Sequence, residues 1–169
     1  TYAESPEIEG ASVGDCDHLL LDPRGKATVR REKPTNNECL ALTQYLLRMM
    51  HEYPPCVSID FHGDTFVSKG YIYSQGKNGK DALASQLLNV LESNGIPIQW
   101  EGNTRFGEKI NHGIVGPQHD GSIDEFMSAK NIIVDGAIVP GPGAEHVYVL
   151  ETPDADVTLK KRVKAYKAV

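Results

Sequence analysis

The residues of this chain that can do chemistry stand directly after apolar runs. Cys56, Val57, Ile59 and Phe61 lead into His62, Gly63 and Asp64. A histidine at a strand end is placed to act as a metal ligand. Asp60 lies two residues earlier, on the same strand face, and can accept a hydrogen bond from the second ring nitrogen. Gly63 lets the backbone turn sharply and leaves space beside the imidazole. In the same way HVYVL, residues 146 to 150, leads into Glu151 before Pro153 breaks the run. A carboxylate there can act as a general base beside a metal-bound water. Each segment also fits a plainer reading, a strand that ends in polar residues at its rim. Two such ends in one chain say more than either alone.

The elements that would hold these groups alternate. TNNECLALTQYLLRMMHEY has Thr35 and Glu38 at capping-box spacing, then Leu42, Tyr45, Leu46 and Met49 at helical spacing, and Pro54 and Pro55 end it. CVSIDF follows as a strand and GYIYS as a short second one. KDALASQLLNVLESNG predicts a helix with an apolar stripe of Leu83, Leu87, Leu88 and Leu91, stopped by Gly95. IPIQW, NIIVDGAIV (with a kink at Gly136) and HVYVLE read as strands. DVTLKKRVKAYKAV reads as a helix, with Val157, Leu159, Val163 and Tyr166 on one side. Residues 1 to 34 read as irregular, and residues 101 to 125 as a long polar, glycine-rich loop. The alternation predicts an α/β fold, a mixed, mainly parallel sheet flanked by helices in a single domain over residues 1 to 169. In such sheets functional groups gather just past the carboxyl ends of strands, where His62 and Glu151 fall.

Composition narrows the function classes. The 169 residues carry a formal net charge of -6, with 40% hydrophobic residues and 24% charged ones. That balance argues against nucleic acid or an anionic membrane as the main partner. No window holds the ~20 apolar residues of a membrane span, and no leader sequence is visible. The compartment stays open, with the cytoplasm as the default expectation. The chain starts at Thr1 and not at a methionine, which suggests a processed chain or a fragment. Cys16, Cys39 and Cys56 are too few and too widely spaced for a disulfide framework or a zinc knuckle, and read as buried free thiols. There is no phosphate-binding G-x-x-x-x-G-K-S/T, no G-x-G-x-x-G and no G-x-S-x-G nucleophile elbow.

From residue 35 onward the chain resembles the zinc carboxypeptidases and their deacylase relatives. The likeness rests on ECLALTQYLLRMMHEYPPCVSIDFHGD, on VYVLETP and on the helix DVTLKKRVKAY. The form Asp60-Phe61-His62 is similar to the desuccinylase and aspartoacylase branch. The resemblance implies one zinc ion, with His62 as its last protein ligand and Glu151 as general base and acid. It also implies substrate contacts from Ser122 and Asp124 in GSIDEF, which is similar to the family's specificity loop. Arg24, in LLLDPRG, would grip a substrate carboxylate through its bidentate fork. The family's earlier ligand pair, H-x-x-E or H-x-x-D, follows none of the six histidines.

These residues lead to the expectation of a zinc-dependent hydrolase of amide bonds, acting on peptides or N-acyl amino acids. The chain would then be the C-terminal part of a longer catalytic domain, or a relative that has lost its metal. Asp64, His112 and His119 are the positions from which further ligands would come within this chain. A different class is also open, a non-catalytic domain on the same scaffold that holds a peptide or a small acid.

Overall fold

The computed structural model describes residues 19–21, 27–28, 37–76, 81–118, 122–134 and 137–169. Their order is β1 (Leu19–Leu21), β2 (Ala27–Thr28), α1 (Asn37–Glu52), β3 (Val57–Asp64), β4 (Tyr71–Ser74), α2 (Ala82–Ser93), β5 (Glu101–Asn103), β6 (Lys109–Asn111), β7 (Ile114–Val115), α3 (Ile123–Ser128), β8 (Asn131–Val134), β9 (Ala137–Pro140), β10 (His146–Pro153) and α4 (Leu159–Tyr166). The expected mixed α/β architecture is what forms. No helix among the described residues is long and apolar enough to cross a membrane.

The chain divides into two compact units, Thr1–Ser58 with His119–His146, and Ile59–Gln118 with Val147–Val169. In the first, strands in the order β2-β1-β8-β9 form an antiparallel sheet. The NIIVDGAIV run makes two strands, not one kinked strand, with Val134 opposite Ala137. Asp135-Gly136 between them is a hairpin signal, since both residues tolerate positive φ. Met50, Phe126 and Ile132 form the core of this unit, against which Leu42, Leu46 and Leu47 of α1 pack. Tyr45 is exposed, with Arg48 over its ring. Cys56 is exposed too, against the expectation of a buried thiol, because it precedes β3 and does not lie within it.

The second unit carries the six-stranded sheet, in the order β3-β10-β4-β7-β6-β5. The main chain of Asp64 meets that of Asp154, and Cys56 meets His146, so β3 and β10 run parallel. β4 and β7 are also parallel, whereas β10–β4, β7–β6 and β6–β5 are antiparallel. Parallel pairing is therefore less extensive than the alternation of elements suggests. The reason lies in residues 101 to 125: the stretch read as a loop holds the hairpin β5–β6 and the short strand β7, which turn back on one another without a helical crossover.

One face of this sheet is closed by helices. α2 begins at Asp81, whose carboxylate accepts from the main-chain N–H groups of Leu83 and Ala84, from Tyr148 Oη at 2.8 Å and from Ser74 Oγ at 3.0 Å. It buries Ala84, Leu87, Leu88 and Leu91 against Ile72, Ile114, Tyr148 and Leu150. It ends before Gly95, whose φ of 83° lies in the left-handed region. α4 adds Ala165 and Tyr166, with Val157 just ahead of it; Leu159 and Val163 point to solvent instead. Thr158 caps α4, its hydroxyl accepting from the main-chain N–H of Lys161.

Candidate active site

Side chains alternate along a strand, so the residues between the helix-facing positions share the other face. On β3 these are Asp60, His62 and Asp64, and on β10 they include Glu151. Glu151 stands directly opposite Tyr71 of β4, and Tyr73 follows two residues on. The neighbouring positions Ile59, Leu150 and Ile72 all enter the helix-covered core. Adjacency of β3 and β10 thus brings together two residues 89 positions apart in sequence, and they meet inside two parallel strands, two residues before the carboxyl ends and not past them as the sequence suggests.

Both ring nitrogens of His62 are engaged. Nε2 lies 2.9 Å from Asp60 Oδ2, and Nδ1 lies 3.3 Å from Glu151 Oε1. The ring is 44% exposed and the Glu151 side chain 12%. Hydrogen bonds to Asp60 and then to Glu151 raise the imidazole pKa from its ordinary 6.5 to about 10, against the opposing effect of burial. The same hydrogen bond to His62 is the main cause holding Asp60 below its ordinary value. These contacts favour the protonated ring, and metal binding at Nδ1 would require loss of the proton there. Asp60 would then keep Nε2–H oriented, the usual support of a metal-binding histidine.

The polar face continues beyond the pair. Burial pushes the Tyr71 hydroxyl up to about 12, and the carboxylates of Glu151, Asp64 and Glu108 act in the same direction. Tyr73 Oη donates to Glu108 Oε2 at 2.7 Å and is also held above its ordinary value, chiefly by burial. Glu108 accepts from Thr104 Oγ1 as well, at 2.6 Å. Asp64 Oδ2 lies 3.7 Å from Arg105 Nε. The Arg105 guanidinium sits over the rings of Phe66 and Phe106, at 4.9 and 4.6 Å from their centroids, and both rings are exposed.

The other residues singled out in the sequence are placed as follows. Ser122 occupies the N-cap position of α3, and Asp124 lies buried in its first turn, so both belong to the first unit. Arg24 and His119 lie outside the described residues. His112, at a φ of 52°, turns the chain between β6 and β7 and lies 3.6 Å from Glu101 on the neighbouring strand. Sequence reasoning missed the contributions of Arg105, Thr152 and Tyr166. No local pattern marks them, because each reaches the site region from a separate element.

Among the described residues no group of three His, Cys, Asp or Glu side chains is arranged to hold a metal ion. A catalytic zinc takes three protein ligands and a water. The described residues thus offer one histidine with its orienting carboxylate and a second carboxylate beside it, which falls short of a complete zinc site.

No family model matches this chain, and no curated protein does. Among solved structures it is similar to three proteins described as "putative metallopeptidase". That of Shewanella baltica OS155 is 19% identical with a TM-score of 0.65, covering 89% of this chain and 49% of its own. That of Shewanella amazonensis SB2B is 21% identical with a TM-score of 0.59, covering 89% and 50%. That of Shewanella denitrificans OS217 is 18% identical with a TM-score of 0.60, covering 79% and 45%. At these identities the likeness establishes a shared fold. The chain spans about half the length of each of these proteins.

Proposed function

We propose that this chain carries part of the active site of a zinc-dependent amide-bond hydrolase, acting on peptides as a carboxypeptidase does or on N-acyl amino acids. The observation that carries the reading is the convergence of His62 and Glu151 at 3.3 Å near the carboxyl ends of adjacent strands. A fold shared with proteins described as metallopeptidases supports it. In this reading His62 is a zinc ligand held by Asp60, with the remaining ligands outside the described residues. A bound zinc would polarise the scissile carbonyl and lower the pKa of a bound water. Glu151, largely shielded from solvent, takes the proton of the attacking water and returns it to the leaving amine.

A second reading starts from the contacts of the ring itself. With Asp60 and Glu151 on its two nitrogens, His62 also suits a polar contact point of a non-catalytic domain binding a peptide or small acid. Zinc titration of the chain and of His62→Ala, with hydrolysis of N-acyl amino acids and peptides followed in parallel, separates the two. Hydrolase function requires zinc affinity that His62→Ala reduces by at least tenfold. Equal affinity in both chains sinks the role given to His62. Binding of a peptide or small acid with no zinc uptake establishes the second reading.

A further inference from the structure

The main chain of His62 is held by side chains from two other elements. Its carbonyl oxygen accepts from Thr152 Oγ1 of β10 at 2.9 Å and from Tyr166 Oη of α4 at 3.0 Å. Thr152 and Tyr166 also touch each other, hydroxyl to hydroxyl. Thr152 is fully buried, so an unpaired hydroxyl there would be costly. Both hydroxyls lie within hydrogen-bond reach of that carbonyl, and one of them can instead donate to the other.

α4 makes two more contacts at the same place. The Tyr166 ring packs on Phe61, with centroids 4.4 Å apart. Arg162 lies against Gly63: a Cβ added there would fall 2.2 Å from Arg162 Nη1 and 3.3 Å from Asp154 Cβ. Residues 61, 62 and 63 are thus gripped from behind in succession, while the His62 ring points to the opposite, polar face.

We propose that Thr152 and Tyr166 are positioning residues, which aim the His62 imidazole by locking the peptide that follows it. The proposal rests on the reading of His62 as a site residue. A peptide plane fixed by these two hydroxyls fixes ψ of His62, and with it the direction in which the side chain leaves the strand. Displacements of about 1 Å at a reacting group are enough to cost two orders of magnitude in rate. Loss of groups that orient a metal ligand typically costs about 10- to 100-fold in metal affinity. The C-terminal helix is in this way a part of the site, although it contributes no group to the polar face.

The test uses Tyr166→Phe, which keeps the ring on Phe61, Thr152→Val, which keeps the shape, and the double variant. Proton-detected NMR of the chain with labelled histidine, without metal, reads the ring N–H protons held by Asp60 and Glu151. In the wild type both signals are protected from exchange. Each single variant retains one donor and keeps them in weakened form. The double variant remains folded and loses them. Thr152→Ser in the Tyr166→Phe background, which returns a hydroxyl at 152, brings them back to the level of the single Tyr166→Phe variant. Leu88→Ala serves as the control, since it destabilises the core without touching the lock and leaves the signals intact. Unchanged ring signals in the folded double variant overturn the proposal, as does their absence from the wild type. Zinc affinity is a separate arm, expected to fall about 10- to 100-fold in the double variant. If the wild type takes up no zinc, the hydrolase reading fails while the ring signals still decide the positioning role.

Discussion

The two faces of the six-stranded sheet are built from the same strands and follow opposite rules. At Ile59, Leu150, Ile72 and Ile114 the side chains enter a core closed by α2 and α4. At Asp60, His62, Glu151, Tyr71 and Tyr73 they form a chain of charged and hydroxyl groups. The first face gains stability from burial. The second spends it, since every group there needs a partner in partial shelter from water. The lesson is that one backbone sets both functions, with stability and chemistry assigned to alternate residues. Adjacent positions should therefore fail in different ways.

Glu151 and Leu150 give the sharpest version of that contrast. Under the proposed function, Glu151→Gln removes the proton carrier and lowers turnover by about 10²- to 10⁴-fold. Its urea-unfolding midpoint should move little. An activity within tenfold of wild type would break the assignment of chemistry to this face. Leu150→Ala, one residue earlier and fully buried, should act the other way. It is expected to cost about 2 to 5 kcal/mol of stability, through lost burial and a residual cavity. Chemical denaturation measures it, and a loss below about 1 kcal/mol would show that the helix-covered face is not the stabilising one.

What the sequence showed and what it hid divide along the same line. Local periodicity exposed α1, α2, β3, β4 and β10, and a strand followed by His62 or by Glu151 is visible in any linear reading. The alternation also placed Asp60 on the face of His62, where the structure has it. The hairpin β5–β6 was hidden because EGN and KIN carry a single buried residue, Ile110, and give almost no apolar signal. The Phe66–Arg105–Phe106 stack joins residues 39 or 40 positions apart in sequence, and the Thr152–Tyr166 grip on His62 spans about a hundred. Such contacts follow from strand order, which no period in the chain encodes. The metal question stays with the residues that complete the site, because a ligand set is a property of three-dimensional convergence and not of one strand end.

Asp81 tests whether the helix-covered face is uniformly apolar in its energetics. Its carboxylate caps α2 and also receives Tyr148 and Ser74, two hydroxyls of the buried strands. Burial opposes its ionisation, yet these donors and the main-chain N–H groups of Ala84 and Leu83 hold its pKa below the ordinary value. Asp81→Ala should cost about 1 to 2 kcal/mol, the loss of an N-cap plus a newly orphaned Tyr148 hydroxyl. Asp81→Asn, which keeps an acceptor, should recover part of it. If both variants unfold at the wild-type denaturant concentration, the polar hub adds nothing to that face.

The smallest effect concerns the polar face itself, and its sign is fixed by the two pKa shifts. His62 has a folded pKa of about 10 against an ordinary 6.5, so its contribution is complete below about pH 6.5 and is lost as pH rises toward 10. Asp60 is shifted the other way. Its contribution is complete above its ordinary 3.8 and is lost as pH falls through its lower folded value. In the metal-free chain the pair therefore stabilises most between these limits, with a broad decline on the alkaline side. The amplitude is small because both side chains are more than a third exposed, at 44% and 38%, and solvent screens the pair. About 0.2 to 1 kcal/mol is the scale for such a pair. Subtracting the pH dependence of His62→Gln from that of the wild type isolates it in urea titrations from pH 4 to 10. A difference that grows from pH 6.5 to 10 would mean that the carboxylates repel the ring they flank more than they hold it, and the polar face would then be strained, not partnered.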